Sequence, residues 1–331
     1  MTHNNYNGAL QQPLGSGFGA ASTARDVING TDLTGRIAIV TGGNTGIGLE
    51  TVRILAGAGA TVIAPARDVE KAQKNLQGIS NVEIEKLDLM DPRSIDDFAE
   101  KFLSTNRPLH LLINNAGIMF VPLRRDSRGI ESQLATNYLA PFQLTTRLWQ
   151  ALKNATGARV VNVSSQGHQF GPFHFEDPNF EVREYETLSA YGQSKTALNL
   201  FSLELDNRAR PFGVSAYSVH PGNIWGTELV REAPMEILQR FGFYDAQEKP
   251  VQEVLASLKT IPQGAATTIW AATTPLLNNI GGVYCEDADI AGLALSEEMS
   301  AGVKPYSLDE LSAKQLWQQT EEMINISFQV R

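Results

Sequence analysis

The sequence has 331 residues, enough for one large α/β domain or two modest ones with a sizeable buried core. Its formal net charge of −9 argues against nucleic acid or an anionic membrane surface as the main partner. Only one cysteine is present, and the five histidines show no ligand spacing, so the sequence predicts no intrachain disulfide and no metal site.

The N-terminal segment, residues 1–24, is rich in Asn, Gln, Gly and Ser and predicts a flexible tail. It lacks the basic start and apolar core of a secretory signal, since the first basic residue is Arg25. No window approaches the roughly 18 unbroken apolar residues of a membrane span. These features predict a cytoplasmic protein.

From residue 25 to the C-terminus, short apolar runs alternate with helical patterns. The predicted strands are Ile37–Val40, Thr61–Ala66, Val82–Leu89, Leu109–Asn114, Arg159–Ser164, Val214–His220 and Gly282–Cys285. The predicted helices are 46–57, 92–105, 130–153, 190–209 and 262–274. Strands that are apolar on both faces and separated by helices indicate a single α/β domain, residues 25–331, with a doubly wound parallel sheet of about seven strands.

A C-terminal helical extension is predicted over about 307–325. Ser307 and Glu310 have the spacing of a capping box, and Tyr306 with Leu311 can form its hydrophobic staple. Three apolar residues would then dock the helix on the body of the domain: Trp317, Met323 and Ile324.

A glycine cluster, T-G-G-N-T-G-I-G at 41–48, joins the first strand to the first helix of this series. Gly42 allows a sharp turn, and Gly46 and Gly48 allow close approach of backbone to a ligand. The helix N-terminus presents unpaired N–H groups and a positive dipole end, which suit a pyrophosphate. A tight turn without a ligand is the alternative, because lone glycine motifs are weak signals.

The end of the second strand indicates which dinucleotide is bound. An NAD site usually has an acidic residue there for the ribose 2′-OH. Here Ala66 takes that position and Arg67 follows, which favours the 2′-phosphate of NADP(H). Asp68 is the competing ribose ligand, and it leaves NAD(H) possible.

Tyr191 and Lys195 lie four residues apart and therefore on one face of a predicted helix. A cation beside a phenol lowers the phenol's pKa from about 10, so Tyr191 can protonate a carbonyl oxygen while hydride reaches the carbon. On most helices such a pair is only a surface contact. Here Ser164 and Ser165 end a neighbouring strand, where ligands of an open α/β sheet bind.

Taken together, these motifs resemble the short-chain dehydrogenase/reductase family, which has the Rossmann fold, and within it the retinol dehydrogenase branch. The matching elements are residues 41–48 (T-G-x-x-x-G-x-G), Asn114–Gly117 (N-N-A-G), Tyr191 with Lys195, and the turn His220–Gly222. The similarity covers roughly residues 22–290.

The resemblance implies a role for each matching residue. Tyr191 is the general acid or base, Lys195 lowers its pKa and binds the nicotinamide ribose, and Ser165 rather than Ser164 holds the substrate oxygen. Asn137 holds a water that relays protons. The implied cofactor contacts are Gly42, Asn44, Thr45, Gly46, Ile47, Gly48, Arg67, Asp88, Leu89, Asn115, Ala116, Gly117, Tyr191, Lys195, Pro221, Gly222, Ile224 and Thr227.

Substrate contacts are expected from a mobile loop over about 223–260. The candidates are Met119, Phe120, Phe173 and Trp225, which suggest an apolar, bulky carbonyl or secondary alcohol. The aromatic segment 168–187 can line a pocket or pack on the surface. One residue more than is usual separates Gly222 from Thr227.

The sequence therefore predicts an NADPH-dependent oxidoreductase that interconverts a carbonyl and an alcohol. Two alternatives stay open: a non-catalytic NADP(H)-binding sensor or scaffold, and reduction of a C=N or C=C bond. The expected partner is a small molecule. By the same resemblance, the helices 130–153 and 190–209 are expected to pair two chains into a homodimer or homotetramer.

Overall fold

The computed structural model describes residues 4–330 and contains one eight-stranded sheet in the order β3-β2-β1-β4-β5-β6-β7-β8. The first seven strands are parallel, and β8 is antiparallel to β7. The strands are β1 Ile37–Val40, β2 Thr61–Ala66, β3 Val82–Lys86, β4 Leu111–Asn114, β5 Ala158–Val163, β6 Val214–His220, β7 Tyr284–Glu286 and β8 Asp289–Ile290. The predicted doubly wound parallel sheet is confirmed. The eighth strand was missed because two residues carry no periodic pattern.

Thirteen α-helices lie among the described residues. They are α1 Ala24–Ile28, α2 Gly46–Gly57, α3 Val69–Asn75, α4 Pro92–Ser104, α5 Ser132–Leu134, α6 Ala140–Arg147, α7 Trp149–Lys153, α8 Thr187–Ala209, α9 Met235–Arg240, α10 Gln252–Ser257, α11 Ile261–Gly264, α12 Ala266–Thr273 and α13 Glu310–Ile324. A π-helical turn, Ala135–Leu139, interrupts the helix expected over 130–153. Within residues 4–330, no helix has the length and apolar character that crossing a membrane requires.

Apolar side chains fill both faces of the sheet. On one face α4, α6 and α8 bury Phe102, Phe142 and Phe201, and α13 adds an outer layer. On the other face α2 and α12 bury Leu55 and Trp270. Covering both faces explains why the strands are apolar throughout rather than alternating.

The sheet places the functional motifs together because its strand order reverses beside β1. β1 pairs with β2 on one side and with β4 on the other, so the chain crosses over between β3 and β4. A crevice opens at the carboxyl ends of the strands at such a switch point, and ligands bind there.

The C-terminal helix starts later than the sequence suggested. Asp309 caps α13 by accepting from the Ser312 N–H, whereas Ser307 lies buried in a 3₁₀ turn, so the expected capping box is wrong. The expected staple is wrong too, because Leu311 is 76% exposed. The docking residues are confirmed: Trp317 and Ile324 are buried, and Met323 packs against the core.

The same C-terminal segment covers the helices that were expected to pair two chains. Trp317 packs on Phe142 and Phe201, with ring centroids 5.1 and 6.0 Å apart, and Phe328 packs on Trp149 at 5.7 Å. Nearly all of α8 is buried inside one chain. The surface on which the dimer expectation rested is therefore occupied by the chain itself.

Part of the N-terminal segment, residues 4–16, packs against the domain although its composition predicts a flexible tail; residues 1–3 lie outside the described residues. Asn5 and Gln11 are buried, and the Gln11 side chain pairs with both the N–H and the carbonyl of Tyr284 in β7. Asp289 accepts from three backbone N–H groups, those of residues 14–16. An amide side chain carries both a donor and an acceptor, so Gln11 satisfies both backbone groups of Tyr284, which lies beyond the register of the two-residue strand β8.

The docking of α13 gives a test of stability. Trp317→Ala should lower the free energy of unfolding by about 3–5 kcal/mol, because it leaves a cavity between α13 and α8. Leu311→Ala, on the exposed side of the same helix, should change it by less than about 0.5 kcal/mol. Urea denaturation followed by circular dichroism measures both, and equal effects would contradict this account of the helix.

Candidate active site

One cleft of about 530 Å³ opens at the carboxyl ends of the central strands. All but three of the predicted catalytic, cofactor and substrate residues line it; the exceptions are Asn137, which lies just behind its wall, Phe120 and Phe173. No group of His, Cys, Asp or Glu side chains within residues 4–330 is arranged to hold a metal ion.

The glycine turn after β1 forms one wall of the cleft. Gly42 has φ +63°, and a Cβ on Gly48 would overlap the Gly42 carbonyl, so these positions require glycine. α2 begins at Gly46 with no side chain capping it and no acidic residue in its first turn. By contrast Asp68 and Asp91 cap the next two helices. The first N–H groups of α2 are thus left for an anion such as a pyrophosphate.

The N-N-A-G turn after β4 is hydrogen-bonded to this glycine turn. The Thr41 hydroxyl accepts from the N–H groups of Asn115 and Ala116, and Asn115 Nδ2 donates to the Thr41 carbonyl at 2.8 Å. A Cβ on Gly117 would lie 3.1 Å from Asn137 Oδ1 and 3.6 Å from Lys195 Nζ. Gly117 thereby connects the cofactor wall to the catalytic residues.

Ser165, Tyr191 and Lys195 meet at the inner end of the cleft. The Ser165 hydroxyl accepts from the Gly167 N–H at 2.9 Å and hydrogen-bonds to the Tyr191 phenol. Ser164 instead faces the backbone of α8, where its hydroxyl donates to the Lys195 carbonyl. Lys195 Nζ lies 5.7 Å from the centre of the Tyr191 ring and donates to the Val163 carbonyl at 2.8 Å.

Burial controls the protonation of this pair. It raises the pKa of Tyr191 to about 12, an effect that the Ser165 hydrogen bond only partly offsets. It also lowers the pKa of Lys195 to about 7. Burial thus acts against the lower pKa that the sequence predicts for Tyr191, because desolvation disfavours both charged forms. At neutral pH Tyr191 is a protonated phenol.

Asn137 lies in the π-helical turn Ala135–Leu139 and is buried. Its side chain accepts from the Ile118 N–H and donates to the Ile118 carbonyl and to the Ser194 hydroxyl. Because the side chain is fully engaged, Asn137 fixes the loop after β4 against α8. π-Turns often mark functional sites, since they free a backbone carbonyl from the helical pattern.

The adenosine end of the cleft carries the charges that choose a dinucleotide. Asp68, the competing ribose ligand, accepts from the Lys71 N–H and caps α3. Arg67 is exposed and lines the cleft, as do Asp88 and Leu89. Lys71 lines the cleft as well, and sequence reasoning missed it.

The loop after β6 closes the opposite side. Gly222 has φ +91° and packs on the Lys259 side chain, and Ile224 forms a bridge with Lys259. Thr227 reaches the glycine turn despite the extra residue: its methyl group lies 3.4 Å from where a Cβ on Gly46 would be. Met119 and Trp225 line the substrate side together with Phe243.

A chain of ion pairs crosses the mouth of the cleft, which the sequence did not reveal. Lys71 pairs with Glu228 at 2.6 Å, and Glu228 with Arg231 at 3.3 Å. Arg231 then lies 3.8 Å from Glu232, which pairs with Arg124 at 2.6 Å. Since Lys71 and Arg124 are far in sequence from residues 228–232, only the folded chain shows that these residues connect α3 to the loop after β4.

Two of the four substrate candidates do not face the cleft. Phe120 is buried behind Tyr191, with its ring edge-on at 5.5 Å and stacked on Phe241 at 5.9 Å. Phe173 belongs to the main core and packs on Phe175. The aromatic segment 168–187 therefore packs rather than lines the pocket.

Comparisons with known proteins agree with this geometry. Residues 36–237 match the short chain dehydrogenase family, to which the chain belongs. It is similar to a "Probable oxidoreductase" of Streptomyces lividans, 43% identical over 87% of this chain and 97% of that protein. Human retinol dehydrogenase 12 is 37% identical over 90% of this chain and 89% of that protein. The crystal structure of an uncharacterised Mycobacterium paratuberculosis protein superposes with TM-score 0.71 at 30% identity. The superposition covers 93% of this chain and 99% of that one. The chain is an oxidoreductase of this family, whose cofactor is a nicotinamide dinucleotide.

A buried histidine beside the site predicts a pH dependence of stability. Burial, aided by the Lys304 cation, lowers the pKa of His168 from 6.5 to about 4. In the unfolded chain His168 binds a proton near pH 6.5, whereas in the folded chain it stays neutral down to about pH 4. The free energy of unfolding therefore falls as the pH drops from about 6.5 towards 4.

Replacing His168 by Asn should remove about 2 kcal/mol of the stability difference between pH 7.5 and pH 5. The comparison with wild type cancels other groups, including the buried Glu131 and Glu286, whose raised pKa values act in the opposite direction. Urea titrations at both pH values measure the difference. An unchanged difference would show that the ring is protonated in the folded state.

Proposed function

We propose that this protein is an NADPH-dependent reductase of apolar, bulky ketones or aldehydes, or that it catalyses the reverse oxidation. The observation that carries the proposal is the meeting of Ser165, Tyr191 and Lys195 at the inner end of a cleft whose glycine wall fits a dinucleotide. When bound, the cofactor would supply the hydride. The remaining steps belong to side chains of this chain.

Tyr191 acts as the general acid in reduction. Its buried phenol is protonated at neutral pH and hydrogen-bonds to Ser165, so the two hydroxyls together can hold a carbonyl oxygen. As negative charge grows on that oxygen, the Tyr191 proton moves to it, and Ser165 donates a second hydrogen bond. Lys195 Nζ, fixed by the Val163 carbonyl, gains its proton more readily once a negative charge develops nearby.

The preference for NADPH follows from the charges at the adenosine end. Asp68 is engaged as the cap of α3, while Arg67 and Lys71 line the cleft as cations. Two cations suit the 2′-phosphate, and Asp68, the carboxylate that competes for a ribose hydroxyl, is engaged as a helix cap.

The substrate side of the cleft is apolar around the reacting centre. Met119, Val121, Trp225 and Phe243 line it, and the rings of Trp225 and Phe243 lie 5.6 Å apart. An apolar wall with a few polar groups at one end suits a bulky hydrocarbon that bears one carbonyl.

Replacing Tyr191 by Phe should reduce kcat by at least about a hundredfold, because it removes the proton donor and keeps the ring. NADPH affinity, measured by tryptophan fluorescence, should stay within about threefold. Oxidation of NADPH is followed at its absorbance with aldehydes and ketones of graded size. Wild-type rates in the variant would overturn the mechanism, and a wild type that binds NADPH but turns over no substrate would favour a sensor or scaffold.

Replacing Arg67 by Asp should weaken NADPH binding by at least about tenfold and leave NADH binding unchanged or stronger, because a carboxylate repels the 2′-phosphate. Arg25→Asp, the same charge change at an exposed arginine on α1, is the matched control. Titration calorimetry measures both cofactors. An unchanged NADPH to NADH ratio would remove Arg67 from this role.

A further inference from the structure

His168 lies behind the catalytic residues, fully buried between two chain segments. Its Nδ1 is 2.7 Å from the Ser165 carbonyl, and its Nε2 accepts from the Lys304 N–H at 3.1 Å. Neither the mechanism above nor the family motifs use this ring.

The two partners leave the ring only one protonation state. A carbonyl can only accept, so Nδ1 carries the hydrogen, and a backbone N–H can only donate, so Nε2 is bare. Protonation of Nε2 would place its N–H group opposite the Lys304 N–H group, and this repulsion would break the hydrogen bond with Lys304. His168 is thus a neutral bridge of defined tautomer.

The Ser165 end of this bridge lies against the catalytic residues. The 3₁₀ turn Gln166–Phe170 follows Ser165, and its Gly167 packs against the Tyr191 ring, where a Cβ would lie 2.5 Å from Cε1. The Gly167 N–H also donates to the Ser165 hydroxyl. Movement of this turn therefore displaces both the Ser165 hydroxyl and the Tyr191 ring.

The other end belongs to the segment that leads into α13. Besides Lys304, the Ser300 carbonyl accepts from Gln166 at 3.1 Å and from Gln169 at 2.7 Å. The Tyr306 hydroxyl donates to the His168 carbonyl at 2.8 Å. Residues 300–306 are thus fastened to the turn along its whole length.

We propose that His168 is a positioning residue: its neutral ring ties the Ser165 carbonyl to Lys304, so that the C-terminal segment sets the geometry of Ser165 and Tyr191. The inference rests on the proposed function, since it assigns a role within that same site.

The test separates the two nitrogens. His168→Gln places an amide near the position of Nε2 and loses the donor to Ser165, so kcat should fall about ten- to a hundredfold while NADPH affinity is unchanged. His168→Asn keeps a donor near the position of Nδ1 but loses the acceptor for the Lys304 N–H, so its kcat should fall as well, and a wild-type kcat in this variant would overturn the bridge to Lys304. The matched control is His110→Gln, since Nδ1 of His110 accepts from the Ile37 N–H at the other end of the sheet. Equal kcat in the two Gln variants would overturn the proposal.

A second pair of variants serves if the His168 variants do not fold. Lys304 has φ −69° and ψ 139°, which proline adopts, so Lys304→Pro removes the N–H donor without straining that residue. Lys304→Met keeps the donor and loses the ammonium. Only the proline variant should lower kcat, and equal kcat values would overturn the proposal.

A spectroscopic readout keeps this proposal distinguishable from the proposed function. In ¹⁵N-histidine spectra of the full chain, His168 should appear as a neutral ring with hydrogen on Nδ1, identified by its loss in His168→Asn. If the wild type reduces no carbonyl, the proposed function fails, while this signal still supports the bridge. A charged ring or the opposite tautomer at pH 6 would overturn the bridge itself.

Discussion

The structure depends on the burial of one ammonium. Lys195 lies on α8, a helix enclosed by the sheet, the turn Gln166–Phe170 and α13. Removing a charged amine from water costs several kcal/mol unless a partner replaces the lost hydration. The Val163 carbonyl at the end of β5 supplies one such partner, so the side chain that serves the catalytic site also ties α8 to the sheet. Packing and chemistry are set by the same contact.

That burial also reverses a simple electrostatic expectation. A phenol beside an ammonium should become more acidic, yet the pKa of Tyr191 rises to about 12 because burial disfavours its anion and the Ser165 hydrogen bond offsets this only in part. Burial also lowers the pKa of Lys195 to about 7, so part of the Lys195 population is neutral at neutral pH. Tyr191 therefore keeps its proton at neutral pH until negative charge develops on a substrate oxygen, as a general acid in reduction must.

The sequence predicted what depends on local pattern. The strands, the glycine turn and the spacing of Tyr191 and Lys195 required only periodicity and position relative to a strand end. It failed where the outcome depends on side-chain direction. Phe120 and Phe173 are aromatic residues near the site in sequence, but they point into the protein interior. Gln11 has the composition of a tail residue, but its amide pairs with the N–H and the carbonyl of Tyr284, a contact that the sequence does not reveal. The contacts of His168 with Lys304 and of Lys71 with Glu228 have no signature, because each joins residues that are over 100 positions apart in sequence.

The ion pairs across the cleft are individually weak. Their side chains are between 31% and 56% exposed, and each such pair contributes at most about 1 kcal/mol. These contacts form a strap that holds the loop after β6 to α3 and to the loop after β4. Lys71 belongs to this strap and also lines the adenosine end of the cleft. Coupling between the two halves of the cleft therefore requires no rearrangement of the sheet.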